Sequence, residues 1–167
     1  AHVGSSCPLR CISSGSSRDG PHSLIKATHA NMQDCDARAR AYIYILVRSF
    51  GGDDVAIAGA WLHDVVEDCT PTIEDVKADF GEEVADLVAE VTDDKTLRKA
   101  ERKARQIVTA PKKSDRACLI KWADKTSNMR AIALSPPPWT EARKREYIDW
   151  AEQVTGALSY RPKVAVK

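Results

Sequence analysis

The chain has 167 residues, of which 43% are apolar and 29% charged, which is enough for one domain with a buried core. Its net charge of +1 argues against bulk attraction to nucleic acid or membrane as the main activity. Its five cysteines are odd in number and form no CxxC pair, so neither a disulfide framework nor a zinc knuckle is indicated. No apolar run approaches the roughly 20 residues that cross a bilayer. We expect a soluble, cytoplasmic protein that binds neither nucleic acid nor membrane.

The first 23 residues differ in composition from the rest of the chain. They contain seven Ser, three Gly and two Pro, without apolar periodicity. This composition predicts a flexible leader, an expression remnant or a fragment end. We expect one domain over residues 24–160, followed by a short tail over residues 161–167.

Helical signals follow one another after this leader. Residues 37–50 contain several β-formers, but the neighbouring helical patterns favour a helix there as well. Asp53 or Asp54 can cap a second helix that runs to about Val66. Because this segment is apolar all round, we expect it to be the central, buried helix.

From Thr72 onward the chain carries further helix signals. Thr72 to Asp75 has the form of a capping box, and Gly81 is expected to end the short helix that follows. Ser114 begins a long helix to about Leu134, just before three consecutive prolines. Two apolar stripes mark further helices: Val84, Leu87, Val88 and Val91, then Tyr147, Ala151, Val154 and Leu158. The predicted fold is an all-α orthogonal helical bundle.

Charge is unevenly distributed along the chain. Residues 53–94 contain fourteen Asp or Glu and a single basic residue, Lys77, whereas residues 95–113 contain eight Lys or Arg and a single acid, Glu101. These segments are either solvated helix faces or a cation site beside an anion site. The sequence leaves both possibilities open.

The stretch AWLHDVVEDCTP places polar side chains at the end of the apolar segment. On a helix, His63 and Glu67 are four residues apart, as are Asp64 and Asp68, so the four form one patch. The helix C-terminus is an unfavourable place for carboxylates because the helix dipole is negative there. A solvated loop with a hydrogen-bonded core histidine is the plain alternative to a functional site.

A second carboxylate lies on an apolar face. Asp124 shares its face with Ala117, Ile120 and Ala131, and Asn128 follows one turn later. Such an aspartate usually bonds a helix N-terminus or an arginine. The other solution is a divalent cation shared by His63, Asp64 and Asp124, a donor set that suits Mn²⁺, Fe²⁺ or a related octahedral ion. Glu67 and Asp68 could then handle the proton of the attacking water.

Three stretches carry a resemblance to a known family over about residues 51–158. They are AWLHDVVEDCTPT, FGEEVADLVAEVTDDKTL and KWADKTSNMR. Together they resemble the hydrolase domain of the RelA/SpoT proteins, which are HD-domain metal phosphohydrolases, and especially the small stand-alone metazoan SpoT-like members. The resemblance implies the HD-domain fold and hydrolysis of the 3′-diphosphate of (p)ppGpp, a guanine nucleotide alarmone, to GDP or GTP and pyrophosphate, with one Mn²⁺.

The resemblance also implies roles for individual residues. His63, Asp64 and Asp124 fall on the family's metal-ligand positions. Glu67 and Asp68 fall on the pair that orients and deprotonates the attacking water. Lys99 and Asn128 match positions that contact substrate phosphate and nucleotide.

The chain departs from the family pattern upstream of these motifs. A first ligand histidine is expected about two dozen residues before His63, but Ile45 stands there and no histidine occurs between His29 and His63. His29 resembles a different family position and is a poor substitute. The alternatives are therefore a degenerate module that binds nucleotide or protein without turnover, or a related nucleotide phosphatase, for example one acting on the 2′-phosphate of NADPH.

Overall fold

The computed structural model describes residues 36–68 and 71–162, so the predicted leader and most of the predicted tail lie outside the described residues. The described segments form α-helices, one 3₁₀ turn and no strand, which confirms the all-α prediction. The helices are α1 (Asp36–Ser49), α2 (Asp54–Leu62), α3 (Val65–Asp68), α4 (Ile73–Phe80), α5 (Glu82–Val91), α6 (Lys99–Thr109), α7 (Asp115–Leu134) and α8 (Glu141–Ala157). The 3₁₀ turn Ala110–Lys112 joins α6 to the loop before α7. None of these helices is long and apolar enough to span a bilayer.

Helix α2 is the centre of the bundle, as its apolar sequence predicts. It packs against α1, α5 and α7. Gly59 allows the close approach, because a Cβ atom there would lie 2.7 Å from Leu87 Cδ2 and 3.1 Å from Ile120 Cδ1. Asp53 caps the helix by accepting a hydrogen bond from the Ala56 backbone N–H at 2.9 Å. The predicted helix over residues 37–50 is confirmed as α1, which buries Ile43 and Val47 against α2.

The predicted end of α2 at about Val66 is wrong. The helix ends at Leu62, residues 63 and 64 form a turn, and the short helix α3 begins at Val65. The Ala60 carbonyl accepts a bond from His63 Nδ1 at 2.7 Å, a local bond of the kind that competes with helix hydrogen bonds. The polar patch predicted on one continuous helix therefore lies across a turn.

Other predicted boundaries are confirmed. Thr72 and Asp75 form a reciprocal capping box, and Gly81 follows α4 with a φ of +87°. Ser114 caps α7, which ends at Leu134. The stripe of α5 is buried, and so are Ala151, Val154 and Leu158 of the last stripe.

Candidate active site

The two ring nitrogens of His63 are in different situations. Nδ1 is bonded to the Ala60 carbonyl, so it carries the proton and Nε2 presents a lone pair. Nε2 is buried and lies 3.0 Å from Asp64 Oδ2, within ion-pair distance, so it offers a lone pair only while the ring is neutral and donates to Asp64 when the ring is protonated. Burial alone would lower the pKa of His63, but the Asp64 and Asp124 carboxylates raise it above its ordinary value. The environment of Nε2 is therefore suited to a positive charge.

The two carboxylates differ in burial. The Asp64 side chain is 45% exposed, because it lies in the turn after α2 rather than on the buried face of that helix. The Asp124 side chain is 16% exposed and interacts electrostatically with His63. Asp124 and His63 are far apart in sequence, but the fold brings them close enough to interact electrostatically.

Asp124 already has partners on its own helix. Its Oδ2 accepts from Lys125 Nζ at 2.7 Å, and its Oδ1 accepts from Asn128 Nδ2 at 2.7 Å. Burial alone would raise the pKa of Asp124, but Lys125, His63 and Lys121 lower it to about 2. The expected partner of an isolated buried aspartate, an arginine or a helix N-terminus, is thus replaced by a lysine. The expected apolar neighbour Ala131 is exposed, because the last turns of α7 leave the bundle.

The donor chemistry of this group fits a divalent cation only in part. A histidine whose Nδ1–H bonds a backbone carbonyl and whose Nε2 faces carboxylates has the usual arrangement of a metal ligand. Within residues 36–68 and 71–162, however, no three His, Cys, Asp or Glu side chains are arranged to hold a metal. A cation bound to His63 and Asp124 would have to replace the Lys125 ammonium on the Asp124 carboxylate.

The Glu67 side chain contacts the backbone of Asp93, 26 residues later in the sequence. Its Oε1 accepts a hydrogen bond from the Asp93 backbone N–H at 2.7 Å, which fixes the half-buried carboxylate against the loop after α5. Burial raises the pKa of Glu67, and the repulsion of Asp93 and Asp64 adds to this effect. A carboxylate with a raised pKa is a better proton acceptor than an ordinary one. The side chain of Asp68, the other predicted catalytic residue, lies outside the described part of the structure.

The two predicted substrate contacts have different positions. Asn128 donates to Asp124 and also interacts with the Tyr147 hydroxyl, so it belongs to the group around His63. Lys99 is exposed at the first turn of α6 and is not brought into contact with that group. The geometry therefore joins Asn128, but not Lys99, to the candidate site.

Sequence reasoning missed two buried lysines and a tyrosine at this site. Lys121 is 7% exposed and donates to the Val91 carbonyl at 2.7 Å, and Lys125 is 4% exposed with its ammonium 4.4 Å from the centre of the Trp150 ring. Tyr147 was expected only in an apolar stripe, but burial raises the pKa of its phenol beside Lys125. The available signal was spacing: on α7, Lys121 and Lys125 lie one turn apart and flank Asp124.

Comparison with known proteins shows which proteins this chain resembles. The chain is 48% identical over 107 residues to the guanosine-3′,5′-bis(diphosphate) 3′-pyrophosphohydrolase MESH1 of Mus musculus, covering 64% of this chain and 60% of that protein. It is 49% identical over the same length to MESH1 of Drosophila melanogaster. The chain thus spans about 60% of the length of these curated relatives.

The solved structure of a metazoan ortholog of SpoT that hydrolyses ppGpp is also similar, with a TM-score of 0.76 and 34% identity, over 89% of this chain and 91% of that one. A structure from Listeria monocytogenes EGD-e has a TM-score of 0.64 and 29% identity, over 74% of this chain and 82% of that one. The HD domain model matches residues 27–150, a span that contains His63, Asp64 and Asp124. The chain therefore belongs to the HD-domain family.

Proposed function

We propose that the chain hydrolyses the 3′-diphosphate of (p)ppGpp, releasing pyrophosphate and leaving GDP or GTP. The names of the similar metazoan proteins support this substrate, and a guanine nucleotide alarmone is the substrate class they share. The observation that carries the proposal is the buried Nε2 of His63, which lies 3.0 Å from Asp64 Oδ2 and interacts electrostatically with Asp124. The site combines two carboxylates with an imidazole nitrogen, a set of groups that can bind a divalent cation.

His63, Asp64 and Asp124 would hold one divalent ion, and we propose Mn²⁺ because imidazole nitrogen and carboxylate oxygen both suit it. The ion would stabilise the negative charge that develops on the diphosphate during hydrolysis. Its binding competes with Lys125 for the Asp124 carboxylate, and this competition weakens the metal site.

The protein's own residues supply the proton transfer and the positioning. Glu67, whose carboxylate is held by the Asp93 N–H and whose pKa is raised by burial, accepts the proton of the attacking water. Asp68 assists it in the role that the family resemblance implies. Asn128 and Lys99 would bind the nucleotide and the phosphate, and Lys99 is exposed and available for that role.

The direct test is pyrophosphate release from ppGpp by the purified chain, measured without added metal and with Mn²⁺. We expect one pyrophosphate and one GDP per ppGpp, only in the presence of the ion. Release of single phosphate groups, or release that is unaffected by a chelator, would contradict the proposal.

A non-catalytic HD domain that binds nucleotide is the second candidate, and the Lys125–Asp124 ion pair favours it specifically. In that arrangement the ammonium already balances the carboxylate that a metal would use. Binding of ppGpp without turnover at any Mn²⁺ concentration would support this candidate. An NADPH 2′-phosphatase is a third possibility, and the same assay with NADPH as substrate separates it from the first.

A further inference from the structure

A cavity of about 190 Å³ lies between the end of α5, the loop that follows it and the inner face of α6. Its lining includes three cationic side chains, Arg102, Arg105 and Lys113, together with Gln106 and the acids Glu90, Asp93 and Asp94. Apart from Asp93, whose backbone N–H bonds Glu67, none of these residues was assigned to the candidate active site. The polar atoms of the wall show which kind of ligand would fit.

The acids of the cavity already have internal partners. Both carboxylate oxygens of Glu90 accept bonds from Ser114, from its backbone N–H and its hydroxyl, each at 2.7 Å. Asp93 Oδ2 accepts from Gln106 Nε2 at 2.5 Å. The third acid, Asp94, is paired with Arg105 at 3.8 Å, so each acid of the lining already has a partner within the protein.

Among the three cations, Arg105 pairs with Asp94 at 3.8 Å, whereas Arg102 is less well satisfied. Arg102 Nε is buried without a hydrogen-bond partner, and within the described part of the chain its guanidinium forms no ion pair. Lys113 Nζ donates to the Glu90 backbone carbonyl at 2.6 Å, and burial lowers the pKa of its ammonium. A buried donor without an acceptor costs free energy, so an anion that accepts from Arg102 would be stabilised here.

Gln106 adds a requirement for a proton on the ligand. Its amide NH₂ must face Asp93, because a carboxylate only accepts, and its Oε1 is therefore turned away from Asp93. That Oε1 is buried and has no partner. A ligand that satisfies both Arg102 Nε and Gln106 Oε1 must offer an anionic acceptor and an O–H donor together.

We propose that this cavity binds inorganic phosphate in a protonated form. Hydrogen phosphate accepts from Arg102 through its charged oxygens and donates its remaining proton to Gln106 Oε1. Sulfate and simple carboxylates are anions without a proton at neutral pH, so they satisfy only the first requirement. The cavity is also linked to the candidate active site, since Asp93 lines it and its backbone N–H bonds Glu67.

The test is a calorimetric titration of the whole chain, freed of metal by dialysis, with inorganic phosphate and separately with sulfate in chloride buffer. We expect phosphate to bind with a stoichiometry of one and sulfate to bind at least about tenfold more weakly, on the scale of one charge-assisted hydrogen bond. Arg102→Met should weaken phosphate binding by about tenfold or more. The matched control is Arg145→Met, which removes the same charge from the exposed face of α8 and should change affinity less than about twofold.

Two further variants keep the test decisive. Lys113→Met removes a second cation of the cavity, so if Arg102→Met does not fold, as judged by circular dichroism, Lys113→Met takes its place with the same expected loss. His63→Ala should bind phosphate like the wild type, which separates this site from the proposed metal site and from turnover. Absence of phosphate binding, equal affinity for sulfate, unchanged affinity in the cavity variants, or loss of binding in His63→Ala would each overturn the proposal.

Discussion

At the scale of single residues, the two nitrogens of His63 explain why the turn at residues 63–64 exists. Nδ1 bonds the backbone that the helix has just left, and this bond holds Nε2 toward Asp64 and Asp124. The break in α2 is therefore part of the site rather than a defect of the helix. It leaves Glu67 on a separate short helix, where its carboxylate contacts the Asp93 backbone.

Glu67→Gln should lower the rate of pyrophosphate release by about 10²- to 10⁴-fold, because the amide cannot accept the proton of the attacking water. The amide oxygen can still accept the Asp93 N–H, so metal content and fold should remain unchanged. Steady-state kinetics and metal analysis of the same sample measure both quantities. The control is Glu152→Gln on the exposed face of α8. Equal losses of rate and metal in Glu67→Gln would instead make Glu67 a ligand or a structural residue.

Ile45→His should increase metal affinity, because the family resemblance predicts a first ligand histidine at or near position 45. Ile45 is 55% exposed, and the next residue toward the N-terminus, Tyr44, packs edge-on against Trp61, two residues before His63. Loss of a residue that only hydrogen-bonds a metal ligand costs about 10- to 100-fold in affinity or activity, so a restored ligand should gain at least about tenfold in Mn²⁺ affinity.

Leu134→His places the same new imidazole at another exposed apolar position and serves as the control for Ile45→His. If both variants gain equally, the new histidine binds metal without the candidate site. If the wild type retains its metal through chelation and dialysis, a group other than a histidine at position 45 already completes the site.

The residue types of the candidate site could be predicted from the sequence, but their ion pairs could not. HD and ED motifs and an aspartate on an apolar face are local patterns, so His63, Asp64, Glu67 and Asp124 could be selected. Lys125 was missed because a lysine next to an aspartate is usually a surface residue. Its burial depends on the Trp150 ring of α8, which lies far away in the sequence. The burial of Lys125 by another helix therefore gives Asp124 a partner that the sequence did not predict.

At the scale of elements, the packing of α2 against α5 depends on Gly59. Gly59→Ala should destabilise the fold by about 1–3 kcal/mol, since the new methyl group would meet the buried Leu87 and Ile120 side chains. Gly156→Ala, in a helix position with nothing within 4 Å, should instead stabilise by up to about 1 kcal/mol. Urea unfolding of the two variants measures both effects. A Gly59→Ala protein that is as stable as Gly156→Ala would contradict the packing described for α2.

The N-terminus of α2 depends on Asp53, which caps the helix and binds Arg116 of α7 at 2.6 Å. Asp53→Ala should destabilise the fold by about 1 kcal/mol through loss of the cap. Asp53→Asn keeps a capping oxygen and loses only the charge, so it should cost less. Chemical unfolding of the two variants separates the cap from the ion pair, and equal losses in both would show that the charge, rather than the cap, is responsible.

The Asp53 contribution should also depend on pH. Partial burial alone would raise the pKa of Asp53, but the bonds from Arg116 and Ala56 lower it below its ordinary value of 3.8. A carboxylate with a lowered folded-state pKa stabilises the protein above its unfolded-state pKa and loses this effect as pH falls through the folded-state pKa. The stability difference between wild type and Asp53→Ala should therefore be full at neutral pH and shrink below pH 3.8. A difference that grows on acidification would contradict this assignment.

Helix starts could be predicted better than the end of α2. Asp53, Thr72 and Ser114 each accept a bond from a backbone N–H three residues later, a signal contained in a few adjacent residues. The end of α2 depends on a histidine side chain bonding its own backbone, and nothing in the apolar pattern distinguishes that from a continuing helix.

At the scale of the whole molecule, the change from an acidic to a basic segment has a mixed origin. Part of it is structural, because Glu90 holds Ser114 at the start of α7 and Asp53 holds Arg116. Another part gathers around Glu67 and Asp93, where the acidic half contacts the loop that leads into the basic helix α6. These contacts give Glu90, Asp53 and Glu67 structural roles that neither of the two explanations offered by the sequence includes.

The central claim is that His63, Asp64 and Asp124 form one divalent-ion site on which hydrolysis depends. The most direct measurement is a Mn²⁺ titration of the whole chain by electron paramagnetic resonance, with His63→Ala and Asp124→Asn beside the Glu152→Gln control. We expect one weak Mn²⁺ site in wild type and control, and its loss in both site variants. Unchanged Mn²⁺ binding in His63→Ala and Asp124→Asn would contradict it.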